Sequence, residues 1–145
     1  MDTKKFLTGT VVGGIAYFIL GYLFYAVLFG DFFAANSGGA TGVDKTENMV
    51  WWSLILGNLV GAALLTYIFL KWAHISTFKS GLRAGAVIGL LMGLSFDLVM
   101  YATSYLLNLQ AALMDAVIYT VMTALVGGAI GAVLHTKSSE EPAAA

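Results

Sequence analysis

The chain has 145 residues, of which 59% are hydrophobic and 10% charged, with a formal net charge of −1. Soluble domains carry about 25% charged residues, so this chain has too little polar surface to cover itself in water, and its charge points neither to nucleic acid nor to an acidic partner. The absence of cysteine excludes a disulfide framework, thiolate metal sites and thiol catalysis.

Apolar residues gather into four long runs, which predicts an all-α integral membrane protein, a bundle of four transmembrane helices. The first span covers about 6–30. Lys4 and Lys5 precede it, but its length of about 25 residues exceeds the roughly 7–15 of a signal-peptide core, so it reads as a retained span. Residues 31–48 form a polar connector, with Phe32 and Phe33 at the membrane surface. Asp44 and Glu47 have a spacing related to the capping box.

The second span covers about 50–70, and Trp51, Trp52 and Trp72 mark the two interfaces. Lys71, His74, Lys79 and Arg83 crowd the next connection. They read as candidate contacts to lipid headgroups, or as plain orientation by positive charge. The third span, about 81–105, carries glycine at every fourth position: Gly81, Gly85, Gly89 and Gly93. The same series continues to Asp97 and Tyr101. The fourth span covers about 112–134, with Asp115 expected in its first turn, where the helix dipole favours an acid. Residues 138–145 read as a disordered cytoplasmic tail.

Gly9 and Gly13, Gly57 and Gly61, the 81–93 series, and Gly127 and Gly131 place a Gly-x-x-x-Gly on every span. In lipid, where no hydrophobic force joins helices, such pairs predict close backbone packing. A four-residue ridge from Gly81 to Asp97 winds roughly 160° around a straight helix, so the third span is expected to touch two others as the central element. Gly9, Gly13, Gly21 and Tyr25 lie 72 residues before Gly81, Gly85, Gly93 and Asp97, while Gly57 and Gly61 lie 70 before Gly127 and Gly131. That spacing suggests two similar helical hairpins.

Lys4, Lys5, Lys71, Lys79, Arg83 and Lys137 fall on one side of this topology and only Lys45 on the other. The asymmetry predicts both termini in the cytoplasm and a multi-pass protein of the cell inner membrane. Counted from the outer ends at about 1.5 Å per residue, Asp97, Asn58, Tyr22 and Thr120 all lie roughly 12–13 Å deep. With Tyr101 they form a candidate intramembrane polar site, in which Asp97 faces the bundle because a charge in lipid is costly. His74 and His135, without cysteine or a nearby acid, give no metal site. No phosphate loop, dinucleotide fingerprint or nucleophile–base arrangement occurs, so no cofactor is expected.

Gly21-Tyr-Leu-Phe-Tyr25 with Phe29-Gly30, Ser80-Gly-Leu-Arg-Ala-Gly85, Asp115-Ala-Val-Ile-Tyr119 and Gly128-Ala-Ile-Gly-Ala132 resemble a bacterial family of small four-span proteins, domain of unknown function 1761. The chain departs from it at Phe24-Tyr25, where the family has Trp-Tyr, and in its neutral link before the fourth span. The resemblance implies a bacterial inner-membrane protein and brings no activity with it. The residues themselves lead to two functional expectations. One is a non-enzymatic packing or accessory protein, a homo-oligomer or part of a larger membrane complex. The other is a small transporter or channel for protons, cations or a small solute that uses Asp97.

Overall fold

The computed structural model describes residues 2–43 and 45–135. Asp44, Lys137 and the tail 138–145 lie outside the described residues. Helix α1 (Thr3–Gly21) begins at Asp2, whose carboxylate accepts from the Lys4 and Lys5 amides at 2.9 and 3.3 Å. It runs on as a π-helical stretch, Tyr22–Leu28. A short α2 (Gly30–Ala35) and a 3-10 turn (Thr46–Asn48) lead to α3 (Trp51–Ile68), which also ends in a π-helical stretch, Phe69–Ala73. Helices α4 (Phe78–Thr103) and α5 (Leu109–Val133) complete the fold. Four of these helical segments are long and apolar enough to cross a membrane.

Three spans start about one turn earlier than read in the sequence, α1 at Thr3 among them, and capping side chains are the reason. Thr77 Oγ1 accepts from the Ser80 amide at 3.2 Å and starts α4 at Phe78. Asn108 Oδ1 accepts from the Ala111 amide at 2.9 Å and starts α5 at Leu109 rather than 112. Each cap satisfies one of the amides that a helix start leaves without a partner. The connection between α4 and α5 is therefore a tight turn over 104–108.

Helix α4 packs on α5, and α1 packs on both α3 and α5. The central helix is thus α5: 56% of its most apolar stretch is buried, against 22% for α4. This corrects the expectation that the glycine-ridged span sits in the middle. The whole ridge is covered by one neighbour, because α5 presents small residues along the same course. A Cβ added at Gly81 would run into the Gly127 carbonyl, and one at Gly85 into the Thr123 carbonyl. At Gly89 it would lie 2.7 Å from Thr123 Cβ, and at Gly93 3.3 Å from Ala116 Cα. The fit is mutual, since a Cβ on Gly127 would meet the Gly81 carbonyl and one on Gly131 the Thr77 carbonyl. Two helices whose four-residue rows interlock stay in contact along a winding ridge if they cross at an angle that follows it. The opposite face of α4, with Val87, Leu91 and Val99, is exposed.

The contact between α1 and α3 uses different pairs. Gly9 backs onto Thr66, Gly13 onto Ala62 and Gly14 onto Leu59, where an added Cβ would lie 2.6, 2.9 and 2.6 Å from the facing side chain. Gly61 has only an ordinary contact with the Tyr17 ring at 3.6 Å, and nothing lies within 4 Å of a Cβ built on Gly57. Gly57 is therefore not a packing glycine within the chain, contrary to expectation, because it lies on the outward side of α3. The registers of the two helix pairs differ as well. Gly81 meets Gly127 and Gly131, whereas Gly9, its counterpart 72 residues earlier, meets Thr66 rather than Gly57 or Gly61.

Large side chains fill the space among α1, α3 and α5: Tyr17, Leu65, Phe69, Met122, Val126 and Ile130. At the far end the connector does more than span a gap. The amides of Gly38 and Ala40 donate to the carbonyls of Leu106 and Tyr105, each at 3.0 Å, so its first part is laced to the α4–α5 turn. Asn108 Nδ2 also donates to Asn36 Oδ1 at 3.1 Å. Phe33, expected at the membrane surface, packs against the core and against the Tyr25 ring at 5.5 Å.

Candidate functional site

Asp97 lies four residues beyond Gly93 and so continues the face of α4 that packs on α5. It is only 2% exposed. Across from it stands Asp115. With α5 starting at Leu109, Asp115 sits well past the first turn, which holds no acid. The dipole explanation read from the sequence therefore does not apply. Both acids lie six residues inside their helix ends, about 9 Å at 1.5 Å per residue, and come level. Both line the same cavity and act on each other electrostatically.

Tyr25, on the first span, stands near enough to the same Asp115 to interact with it electrostatically. It stands in the middle of the π-helical stretch, where the Phe29 amide donates back to the Phe24 carbonyl, five residues earlier, at 2.9 Å. Such wider turns re-aim the side chains they carry and recur at functional sites. One turn beyond Asp115, Tyr119 approaches Tyr17, and the buried Tyr17 hydroxyl donates to Thr123 Oγ1 at 3.1 Å. Three spans therefore contribute polar groups to one region, with two carboxyls at its heart.

A cavity of about 220 Å³ opens beside the pair, lined by Met92, Gly93, Phe96, Asp97, Asp115 and Tyr119. Phe96 is 64% exposed and Met92 47%, so the mouth opens on the outer flank of α4. Asp97 Oδ2 is buried and has no hydrogen-bond partner among the described residues. Two carboxylates are both acceptors and have no hydrogen to offer each other. They bond directly only through a shared proton, and otherwise need a cation between them.

The remaining residues of the sequence-derived layer do not join this site. Tyr22 is 67% exposed and Tyr101 44%, so both point outward. Asn58 donates to the Leu54 carbonyl at 2.9 Å and Thr120 to the Ala116 carbonyl at 2.6 Å, each within its own helix. None of the four lines the cavity. Depth along a helix sets a residue's level and leaves its direction open, which is why residues counted to one depth do not share one site.

A signal for Asp115 is present in the sequence. Asp97 and Asp115 are each nine residues from Leu106, and in an antiparallel hairpin with a tight turn, residues equidistant from the turn come level. At the other end of the molecule, Lys71, His74, Lys79 and Arg83 are all exposed. His74 takes a left-handed conformation, φ 48°, where the π-helical stretch ends. His135 Nδ1 lies 3.1 Å from the Ser76 carbonyl and joins the end of α5 to this connection. Among the described residues no group of three or more His, Cys, Asp or Glu is placed to hold a metal ion. Comparison of the chain with protein-family models, curated proteins and solved structures returned no match.

Proposed function

We propose that the protein is a small multi-pass carrier or channel that binds and releases a proton or cation at the Asp97–Asp115 pair. The observation that carries this reading is the approach of two carboxyls between packed helices, with an unpartnered Asp97 oxygen beside a cavity. The sequence offered one intramembrane acid, which a structural clamp explains equally well. A second acid facing it alters the balance. Two facing carboxyls stay together only while a proton or another positive charge lies between them, so the contact is itself a place where such a charge binds and from which it can leave.

The Lys and Arg asymmetry supports both termini in the cytoplasm, and the family resemblance supports a bacterial inner membrane. A homo-oligomer or accessory role draws on a separate feature, the bare backbone at Gly57 on the outward face of α3. Flux in proteoliposomes loaded with a pH-sensitive dye tests the carrier reading. Wild type should move protons or monovalent cations, and Asp97→Asn and Asp115→Asn should each fold and lose that flux. Undiminished flux in both variants would overturn it.

A further inference from the structure

We propose that the cavity between α4 and α5 takes a small organic ammonium ion, held by the Asp97 and Asp115 carboxyls and by the rings of Phe96 and Tyr119. This rests on the carrier reading above and narrows its cation to one chemical class.

Three features of the cavity select that class. The first is its mixture of walls. Two carboxyls supply negative charge, and Asp97 Oδ2 is buried without a partner. The rest of the lining is mostly carbon: two aromatic rings, a methionine and a glycine. Aromatic faces attract a cation electrostatically, and a thioether side chain adapts to an irregular apolar shape. The second is size. About 220 Å³ corresponds to roughly seven waters at about 30 Å³ each, room for an ion with a hydrocarbon body. The third is the number of ligands. Hard inorganic cations such as calcium take about six to eight oxygens at close range. Two carboxyls and the Tyr119 hydroxyl fall short of a full oxygen shell, and Phe96, Met92 and Gly93 offer no side-chain oxygen.

The way in follows from exposure. Phe96 and Met92 flank the mouth and are themselves exposed. In a bilayer the mouth meets lipid, so an ammonium ion that partitions into the membrane reaches the site from the side. Proton and cation compete for the same oxygens. When the ion enters, the O–H bond at the pair breaks, the proton passes to water, and the ammonium charge takes its place. The titratable groups that face the acids are Tyr119 on α5 and Tyr25 on the first span, and among the described residues no lysine, arginine or histidine lines the cavity.

Benzyltrimethylammonium, which has a fixed charge and an aromatic body, is a direct probe. The full chain in nanodiscs should bind it saturably by calorimetry, and binding should weaken as pH falls. Phe96→Leu keeps an exposed apolar side chain and the fold, and should weaken binding about fivefold, the size of a cation–π contact. Asp97→Asn, checked for folding by thermal melting, should abolish it. Binding that survives both Asp97→Asn and Phe96→Leu unchanged would place the ion elsewhere and overturn the inference. Absence of saturable binding, with Asp97-dependent proton flux intact in liposomes, would overturn the ammonium assignment and leave the carrier reading standing. Sodium that fills the site at equal concentration and excludes the probe would assign it to an inorganic cation instead.

Discussion

Tyr17 donates its hydroxyl hydrogen to Thr123 Oγ1 at 3.1 Å, while Gly89 packs against the same threonine, an added Cβ there lying 2.7 Å from Thr123 Cβ. One buried side chain thus ties α1, α4 and α5 together. Tyr17→Phe keeps the ring in the core and removes the bond. It should cost about 0.5–1.5 kcal/mol, read as a lower melting temperature in detergent. The double variant Tyr17→Phe/Thr123→Val should cost less than the two single changes added together, since neither partner is then left unsatisfied. Melting of Tyr17→Phe identical to wild type would show that the bond carries no stability.

Close backbone approach makes the α4 ridge intolerant of even one carbon. Gly85→Ala drives a methyl into the Thr123 carbonyl, which is main chain and cannot swing away. The helices must separate, at a cost of about 1–3 kcal/mol. Gly57→Ala is the control, because its added methyl meets nothing within 4 Å and alanine favours the helix. Equal loss of stability in the two variants would show that the ridge is not held by backbone contact.

The outer end depends on one asparagine. Asn108 caps α5 through the Ala111 amide and also bonds Asn36 across the connector. Asn108→Ala loses both. It should destabilise by about 1–2 kcal/mol and speed hydrogen exchange at the Gly38 and Ala40 amides, which hang on the same turn. Unchanged exchange at those amides would mean that the backbone bridge between Ser37 and Leu107 suffices alone.

Lipid makes the fold readable. A chain with four long apolar runs has little choice but four helices, since backbone groups in hydrocarbon must be satisfied within the segment. The ridge from Gly81 to Gly93 is equally visible, but its partner is not: which neighbour covers a ridge depends on the facing helix, and nothing in the residue types of Thr123, Gly127 and Gly131 marks them as its complement. Asp97 could be placed inside on energetic grounds alone. Asp115 reads as a first-turn acid if the fourth span starts at 112, and only the Asn108 cap, which starts α5 at Leu109, places it in the helix interior. The role of Tyr25 depends on the π-helical stretch that carries it, and nothing in an apolar run announces such a turn.

The proposed orientation has its own test. With six Lys and Arg on one side and one on the other, a reporter active only in the cytoplasm should work when fused after Lys137. One active only outside the cytoplasm should work when inserted near Gly39. The reverse pattern at either position would invert the topology and turn the Asp97–Asp115 end, which lies towards the connector, to the cytoplasmic side.

The two acids should also be coupled energetically, and leucine variants measure this. Asp97→Leu leaves Asp115 facing an apolar neighbour but still beside Tyr25, so one of its contacts remains. Asp115→Leu leaves the almost fully buried Asp97 facing an apolar neighbour and also removes the polar group nearest Tyr25, so this change should be the more damaging. Removing one member of a buried polar pair leaves the other with its desolvation cost uncompensated, whereas removing both can be nearly neutral. The double variant should therefore be more stable than the sum of the single losses predicts, by about 0.5–3 kcal/mol. Denaturant titration of the four proteins in detergent gives that difference. Simple additivity would show that the two carboxyls do not sense each other, and would remove the basis for a shared proton or cation between them.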